Sequence, residues 1–215
     1  MTRGLPSPAE GEGDDRPNIE SARLGVVVGQ LLQSGARWFW FRERDMEADS
    51  RKRLACELLA MVRMAGGVFT LGGNIDLAAA IEADGVHLSG NAGSAEIDRA
   101  RRAMPNGLIG VSAHSLDDID TAAGAGADYA TLSPIFATPS KPGYGPALGL
   151  DALRVAARCD LPILALGGIT LETASACREA GAAGIAVMGS VMRSSDPAGT
   201  AGALLEAWSQ APEGP

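Results

Sequence analysis

Short apolar runs alternate with longer amphipathic stretches through most of the chain. Runs such as Gly85–Leu88 predict buried strands, and stretches such as Asp49–Ala65 predict amphipathic helices. The seven predicted strands are Arg37–Phe41, Gly67–Leu71, Gly85–Leu88, Leu108–Ser112, Asp128–Leu132, Pro162–Leu166 and Gly184–Met188. The eight predicted helices are Ile19–Ser34, Asp49–Ala65, Asp76–Ala83 with Asp76 as its N-cap, Ala95–Met104, Leu116–Ala125, Leu150–Ala157, Leu171–Ala180 and Pro197–Trp208.

This alternation is typical of βαβ units in an α/β protein with a parallel sheet. The element count predicts a (β/α)₈ barrel whose first strand is missing or irregular. An open, doubly wound sheet is the alternative, although no G-x-G-x-x-G motif follows the first strand. We predict one barrel domain over residues 19–208. A disordered tail over 1–18, rich in Gly, Pro, Asp and Glu, precedes it, and a short tail over 209–215 follows.

The loop Ser133–Leu150 carries the strongest signal for function. It contains four prolines and three glycines, together with two hydroxyls and a lysine, Thr138, Ser140 and Lys141. Proline and glycine shape a loop, and hydroxyls beside a lysine suit a phosphate oxyanion. The alternative is a surface loop without a ligand. Long loops in compact domains are usually functional or disordered, which favours the phosphate site.

Other candidate groups follow the predicted strands, at the end of a parallel barrel where active sites lie. Arg42 and Arg44 share one face if the strand continues through them, and with Lys141 they predict an anion site. Pairing of the arginines with Glu43, Asp45 or other surface carboxylates is the alternative. Glycines follow the last two predicted strands, at Gly167–Gly168 and Gly189. They predict close approach of the backbone to a phosphate.

The chain has two histidines, and they invite different interpretations. His87 lies within a predicted strand, which favours a structural role. His114 lies just past a strand end, where an acid/base role is an option.

Composition excludes several classes of function. The formal net charge of −8 and the lack of a basic stripe argue against nucleic-acid binding. No apolar run is long enough for a membrane span, and the N-terminus lacks a signal segment. The three cysteines are scattered without a C-x-x-C pair, which is typical of reduced thiols in the cytoplasm.

Four segments resemble one enzyme family, thiamine phosphate synthase with its relative, the TenI thiazole tautomerase. They are F-R-E-R-D (41–45), D-L-A-A-A-I-E-A-D-G-V-H-L (76–88), I-G-V-S-A-H-S with A-D-Y-A-T-L-S-P-I-F-A-T-P-S-K (109–141), and P-I-L-A-L-G-G-I-T with A-A-G-I-A-V-M-G (162–189). The resemblance implies a (β/α)₈ barrel that binds hydroxyethylthiazole phosphate. In the synthase, a hydroxymethylpyrimidine diphosphate ionises with Mg²⁺ assistance, and the thiazole nitrogen attacks the resulting cation.

The resemblance also implies roles for individual residues. Arg42, Arg44, Ser112 and Lys141 would face the diphosphate, and the thiazole phosphate would be held by Thr138, Ser140 and the backbone at Gly168, Met188 and Gly189. The expected ligands are therefore small phosphorylated molecules rather than nucleic acid or membrane.

Several positions depart from the family pattern. The motif Q-x-R-x-K reads Trp40-x-Arg42-x-Arg44, so a polar contact to the pyrimidine is lost. The two acidic Mg²⁺ ligands are also missing. Gly72–Gly73 replaces an Asn-Asp pair and the second acid falls at Ala92, which leaves Asn74 and Asn91 as poor neutral substitutes. Pro134 stands where the tautomerase has a histidine, so its acid/base residue is absent unless His114 takes that role.

Polar sequence also stands where the family has its first strand, so that strand is missing unless Val26–Val28 forms it. An open edge would expose unpaired backbone groups, which a second copy of the chain in a homo-oligomer would cover. Three hypotheses follow. The chain is a synthase-type transferase, a TenI-like tautomerase that depends on His114, or a non-catalytic binder of thiazole or thiamine phosphate.

Overall fold

The computed structural model describes residues 19–43, 45–138 and 146–210. Within them, one sheet contains seven parallel strands in the order β1-β2-β3-β4-β5-β6-β7. The strands are β1 Trp38–Phe41, β2 Val68–Gly72, β3 Gly85–Leu88, β4 Leu108–Ala113, β5 Tyr129–Leu132, β6 Ile163–Leu166 and β7 Gly184–Ala186. The helices are α1 Ile19–Gln33, α2 Ala48–Met64, α3 Ile75–Ala80, α4 Ser94–Ala103, α5 Leu116–Gly124, α6 Gly149–Ala156, α7 Leu171–Glu179, α8 Gly189–Met192 and α9 Pro197–Ser209.

The sheet is curled, and the predicted α/β barrel architecture is confirmed as a TIM-barrel-like fold. Trp38 on β1 and Tyr129 on β5 meet edge-on, with ring centroids 4.8 Å apart, although three strands separate them in the sheet. Only a sheet that bends round on itself brings these rings together. Apolar strand residues such as Val86 and Ile109 form one core with helix residues such as Ile97.

The polar sequence before Ile19, where the family has its first strand, lies outside the described residues, and the alternative segment Val26–Val28 is helical. Val26, Val27 and Val28 lie within α1, so the alternative that they form a strand is wrong. Val27 and Val28 are buried, and α1 packs on α2 and α9. This packing overrides the weak helix propensity of β-branched residues. Among the described residues, β1 and β7 therefore each pair with one neighbour only.

The predicted cap of the third helix is wrong by two residues. Asn74, not Asp76, is the N-cap of α3, and its side chain accepts the Leu77 N–H at 2.9 Å. Asp76 instead lies in the first turn, where its carboxylate forms an ion pair with the Arg99 guanidinium at 2.7 Å. Its negative charge also suits the positive end of the helix dipole. Asn and Asp are both good caps, so the sequence alone favours neither.

The chain after β7 also differs from the prediction. The strand ends at Ala186 rather than Met188, and the short helix α8 begins two residues later, at Gly189. A helix of four residues leaves too little periodicity in the sequence to be predicted. At the C-terminus, α9 ends at Ser209, the first residue of the predicted tail. No helix in the described ranges is long and apolar enough to cross a membrane.

Candidate active site

Polar side chains inside the curled sheet form a hydrogen-bond network around His87. The histidine is 1% exposed, and its Nδ1 lies 2.9 Å from the Tyr129 hydroxyl. Its Nε2 lies 3.0 Å from the hydroxyl oxygen of Ser112 and 3.4 Å from that of Thr131. Both ring nitrogens therefore have partners, as a structural histidine requires, and one partner is the predicted catalytic residue Ser112.

Burial keeps this histidine neutral. Desolvation, and next the positive charge of Arg42, lower the pKa of His87 to about 3. Burial likewise raises the pKa of Tyr129, so its phenol keeps its proton at neutral pH. A neutral imidazole has one donor and one acceptor nitrogen, which fixes opposite roles for Tyr129 and Ser112 in the hydrogen-bond chain.

We expect this burial to appear in the pH dependence of stability. Between pH 6.5 and about 3, the unfolded chain protonates His87 while the folded chain does not, so stability falls as pH drops through that window. The added slope approaches about 1.4 kcal/mol per pH unit. Urea unfolding of wild type and His87→Gln from pH 7 to 4 measures this slope. A smaller slope in the variant is expected, and parallel curves would contradict the assignment.

Arg42 directly follows β1, at the carboxyl-terminal end of the strands, where the other predicted site residues also lie. It is exposed, and its charge acts on His87. The alternative that the arginines pair with surface carboxylates stays open. Arg44 lies outside the described residues.

Backbone hydrogen bonds connect the loop after β5 to the loop after β6. Ile135 N–H donates to the Leu166 carbonyl at 2.9 Å, and Phe136 N–H donates to the Gly167 carbonyl at 3.0 Å. Gly168 adopts a φ of +67°, and a Cβ there would lie 2.5 Å from the Ala137 carbonyl oxygen. The structure therefore brings Gly168 against the segment that leads to Thr138.

The other residues predicted to bind phosphate are described only in part. Ser140 and Lys141 lie outside the described residues. Gly189 begins α8, and Met188, which precedes it, is 64% exposed. The backbone at Met188 and Gly189 thus follows the strand next to Gly168, at the same end of the sheet.

His114 lies two residues beyond Ser112 and is held in one orientation. Its Nδ1 lies 2.8 Å from the Ser133 carbonyl oxygen, and its backbone N–H donates to Asp118 at 2.8 Å. Because a carbonyl only accepts, Nδ1 carries the proton in the neutral ring and Nε2 is the basic nitrogen. A Cβ on Gly90 would lie 3.2 Å from that Nε2, so it points towards the loop after β3.

The positions at which the family pattern has its acidic Mg²⁺ ligands hold no carboxylate in this chain. No group of three His, Cys, Asp or Glu side chains there is placed to hold a metal ion. Asn74 is committed to capping α3, and Ala92 is a buried apolar residue. These residues do not fit the hard oxygen ligands that Mg²⁺ requires.

The sequence analysis missed Tyr129 and did not predict the contacts of Trp40. Tyr129 lies in a strand predicted to be buried, where its hydroxyl was the available signal because buried phenols need partners. Trp40 was noted as a departure, but its position is new. Its indole lies over the His87 ring at a centroid distance of 3.9 Å, and its buried N–H has no partner among the described residues.

Comparison with known proteins gives a consistent result. The family model described as "Thiamine monophosphate synthase" matches residues 14–191. A thiamine-phosphate synthase of Roseiflexus castenholzii is 35% identical, with 98% of this chain and 94% of that protein covered. A putative thiamine-phosphate synthase 2 of Aquifex aeolicus is 39% identical over 74% of this chain and 85% of that protein.

Solved structures agree with this result. The thiamine phosphate pyrophosphorylase from Pyrococcus furiosus superposes with a TM-score of 0.78 at 28% identity, covering 86% of this chain and 88% of that one. A 3-hexulose-6-phosphate synthase, at 18% identity and a TM-score of 0.64, shares the fold. Given the length and identity of these matches, the chain belongs to the thiamine monophosphate synthase family.

Proposed function

We propose that this chain is a transferase of thiamine biosynthesis that joins a hydroxymethylpyrimidine diphosphate to hydroxyethylthiazole phosphate and releases diphosphate. The observation that carries the proposal is that Arg42, Ser112 and Gly168 lie at the same end of the sheet. The family match, which covers nearly the whole chain, supports it. A cation and a hydroxyl suit the departing diphosphate, and a tight glycine turn suits the thiazole phosphate.

The proposed reaction needs no general base. The bond between the pyrimidine methylene carbon and the diphosphate oxygen breaks, and its electron pair leaves with the diphosphate. The lone pair of the thiazole nitrogen then forms the new carbon–nitrogen bond. Arg42, with Arg44 and Lys141 as further predicted cations, stabilises the charge that develops on the departing oxygens. Orientation of the two rings supplies the rest of the rate enhancement.

The hydrogen bonds of His87 orient the hydroxyl group of Ser112. We propose that the His87 proton lies on Nε2, so that the Tyr129 hydroxyl donates to Nδ1 and the Nε2–H donates to the Ser112 oxygen. The Ser112 hydrogen is then available to donate to the diphosphate. In this arrangement every group donates towards the developing negative charge, and His87 and Tyr129 act as positioning residues.

Removing the Tyr129 hydroxyl is expected to impair this alignment. Tyr129→Phe keeps the ring that packs on Trp38 but leaves Nδ1 without its donor, so the tautomer that directs Ser112 loses support. We expect kcat to fall about tenfold with little change in KM, as for an interaction strengthened in the transition state. Steady-state kinetics measures this. A raised KM with unchanged kcat would contradict the positioning role.

Mg²⁺ enters this proposal only with the substrate. The residues that the structure describes do not fit a resident ion, so we propose that Mg²⁺ accompanies the diphosphate as its counter-ion rather than occupying a protein site.

We propose a cytoplasmic location, which the three free cysteines support. Assembly into a homo-oligomer is a further proposal, supported by the edges of β1 and β7 and by Trp38, which is 42% exposed. Light scattering of the purified chain would measure its mass.

Product analysis tests the proposed function. Incubation of the enzyme with both substrates and Mg²⁺ is expected to release thiamine phosphate and diphosphate in a one-to-one ratio. Turnover of a thiazole phosphate without the pyrimidine substrate would instead indicate tautomerase chemistry, and its loss in His114→Ala would assign that chemistry to His114. Saturable binding of thiazole phosphate without any turnover would indicate a binding protein.

A further inference from the structure

We propose that His114 is a positioning residue that holds the base of the loop after β5, and that Asp118 in turn fixes His114. This loop carries Thr138, Ser140 and Lys141, which are predicted to bind the phosphate groups of the substrates. The inference rests on the proposed function, because that function gives the loop its ligands. It assigns His114 a role in the synthase reaction that requires no proton transfer.

The outgoing and returning ends of this loop are bonded to each other. The Leu148 N–H donates to the Pro134 carbonyl at 2.8 Å, and the Gly149 N–H donates to the Ile135 carbonyl at 3.0 Å. We call residues 133–135 with 148–149 the loop base. Because its two sides are joined, a displacement of one side moves the other, and the loop that projects from the base moves with them.

His114 contacts the loop base through its side chain. Its Nδ1 lies 2.8 Å from the Ser133 carbonyl oxygen and 3.3 Å from the Ser133 hydroxyl oxygen. Ser133 is buried, and a buried carbonyl group needs a hydrogen-bond donor. Truncation of the imidazole would remove this donor, so we expect the loop base to shift from its position in the wild-type protein.

The imidazole is itself held from two sides. The Asp118 carboxylate accepts the His114 backbone N–H at 2.8 Å, and the Ser115 hydroxyl accepts the Asp118 N–H at 3.1 Å at the start of α5. On the other side, a Cβ at Gly90 would lie 3.0 Å from His114 Cδ2. Glycine at this position lets the ring lie against the loop after β3. His114 thus links the loops after β3 and β4 to the loop base.

The contact with Ser133 requires a hydrogen-bond donor and no titrating group. A carbonyl oxygen only accepts, and Nδ1 carries a proton in the charged ring as well as in the neutral ring assigned above. The side-chain amide of asparagine supplies a donor at a similar reach, but it does not exchange a proton in the way that an acid/base residue must. His114→Asn therefore separates positioning from acid/base chemistry.

Calorimetry with hydroxyethylthiazole phosphate tests the proposal. His114→Ala is expected to weaken binding about fivefold to tenfold, the effect of losing one hydrogen bond. His114→Asn should bind within about twofold of the wild type. His114→Gln, whose amide lies one bond farther from the backbone, should bind less tightly than His114→Asn, and this comparison decides the matter if His114→Ala does not fold.

Variants at Asp118 test the second half of the proposal. Asp118→Ala should weaken binding in the same direction as His114→Ala. Asp118→Asn keeps a carbonyl acceptor for the His114 N–H and should bind within about twofold of the wild type. Asp117→Ala removes the adjacent, exposed carboxylate of α5 and serves as the matched control, with binding equal to that of the wild type.

Steady-state kinetics separates positioning from a direct role in chemistry. In His114→Ala the loss should appear chiefly in KM for the thiazole phosphate, and His114→Asn should restore it. A loss confined to kcat that asparagine does not restore would overturn the inference. Equal binding by the wild type and His114→Ala, binding by His114→Asn as weak as that by His114→Ala, or failure of the wild type to bind the thiazole phosphate would overturn it too.

Formation of thiamine phosphate by the wild type is measured separately. Product formation with equal thiazole phosphate binding in all variants removes the inference alone. Weaker binding in His114→Ala, with rescue in His114→Asn but no thiamine phosphate from the wild type, removes the proposed function alone.

Discussion

Replacement of Arg42 by alanine is expected to lower kcat/KM for the pyrimidine diphosphate about a hundredfold or more. The loss arises because charge on the departing diphosphate grows in the transition state, and Arg42 is the described cation at the end of β1 where that group would lie. Binding of hydroxyethylthiazole phosphate should change little, since its proposed site is the Gly168 turn. Steady-state kinetics with each substrate varied in turn measures both effects.

Two further variants make this prediction specific. Arg42→Lys keeps the charge but not the planar, forked geometry, and we expect it to recover part of the lost activity. Arg102→Ala removes another exposed arginine, from α4, and should leave kcat/KM unchanged. Equal losses in Arg42→Ala and Arg102→Ala would mean that net charge matters rather than the position of Arg42.

Gly168→Ala is expected to produce the second large effect. The alanine must adopt a φ near +67°, and its methyl group would lie 2.5 Å from the Ala137 carbonyl oxygen and 2.7 Å from that of Phe136. The positive φ alone costs about 1–2 kcal/mol. The contact must also push the loops after β5 and β6 apart. We expect at least about a tenfold rise in KM for the thiazole phosphate together with a lower Tm.

Gly66→Ala is the matched control for this effect. Gly66 has a φ of +69°, but no atom lies within 4 Å of a Cβ built there. It shares the backbone strain of the Gly168 variant without the contact. We expect Gly66→Ala to lower the Tm modestly while KM for the thiazole phosphate stays at the wild-type value. Equal rises in KM for both variants would contradict a local role of the Gly168 turn.

Much of the fold could be predicted because the strands are short, apolar and separated by clear turns. The strand Gly85–Leu88 was predicted with the bounds that the structure gives. Predictions failed where local preference left a choice. Asn74 and Asp76 are comparable helix caps, so the sequence does not choose between them. The residues of Val26–Val28 favour a strand, but the packing of α1 on α2 and α9 stabilises a helix there.

The site was less accessible to sequence analysis because its contacts join distant residues. His87 and Tyr129 are 42 positions apart, and only the register of β3, β4 and β5 places their rings together. The sequence indicated that His87 is structural, and its satisfied nitrogens agree. The link from His87 to Ser112, and the unpartnered N–H of Trp40, required three-dimensional contacts. The roles of Arg44, Ser140 and Lys141 remain predictions, because these residues lie outside the described chain.

The most direct test of the account is a single-turnover reaction, with enzyme in excess over the pyrimidine diphosphate and with saturating thiazole phosphate and Mg²⁺. The account predicts that the diphosphate substrate is converted fully to thiamine phosphate in one exponential phase, and that this phase slows in Arg42→Ala. If no thiamine phosphate forms while the thiazole phosphate still binds, the synthase function is contradicted.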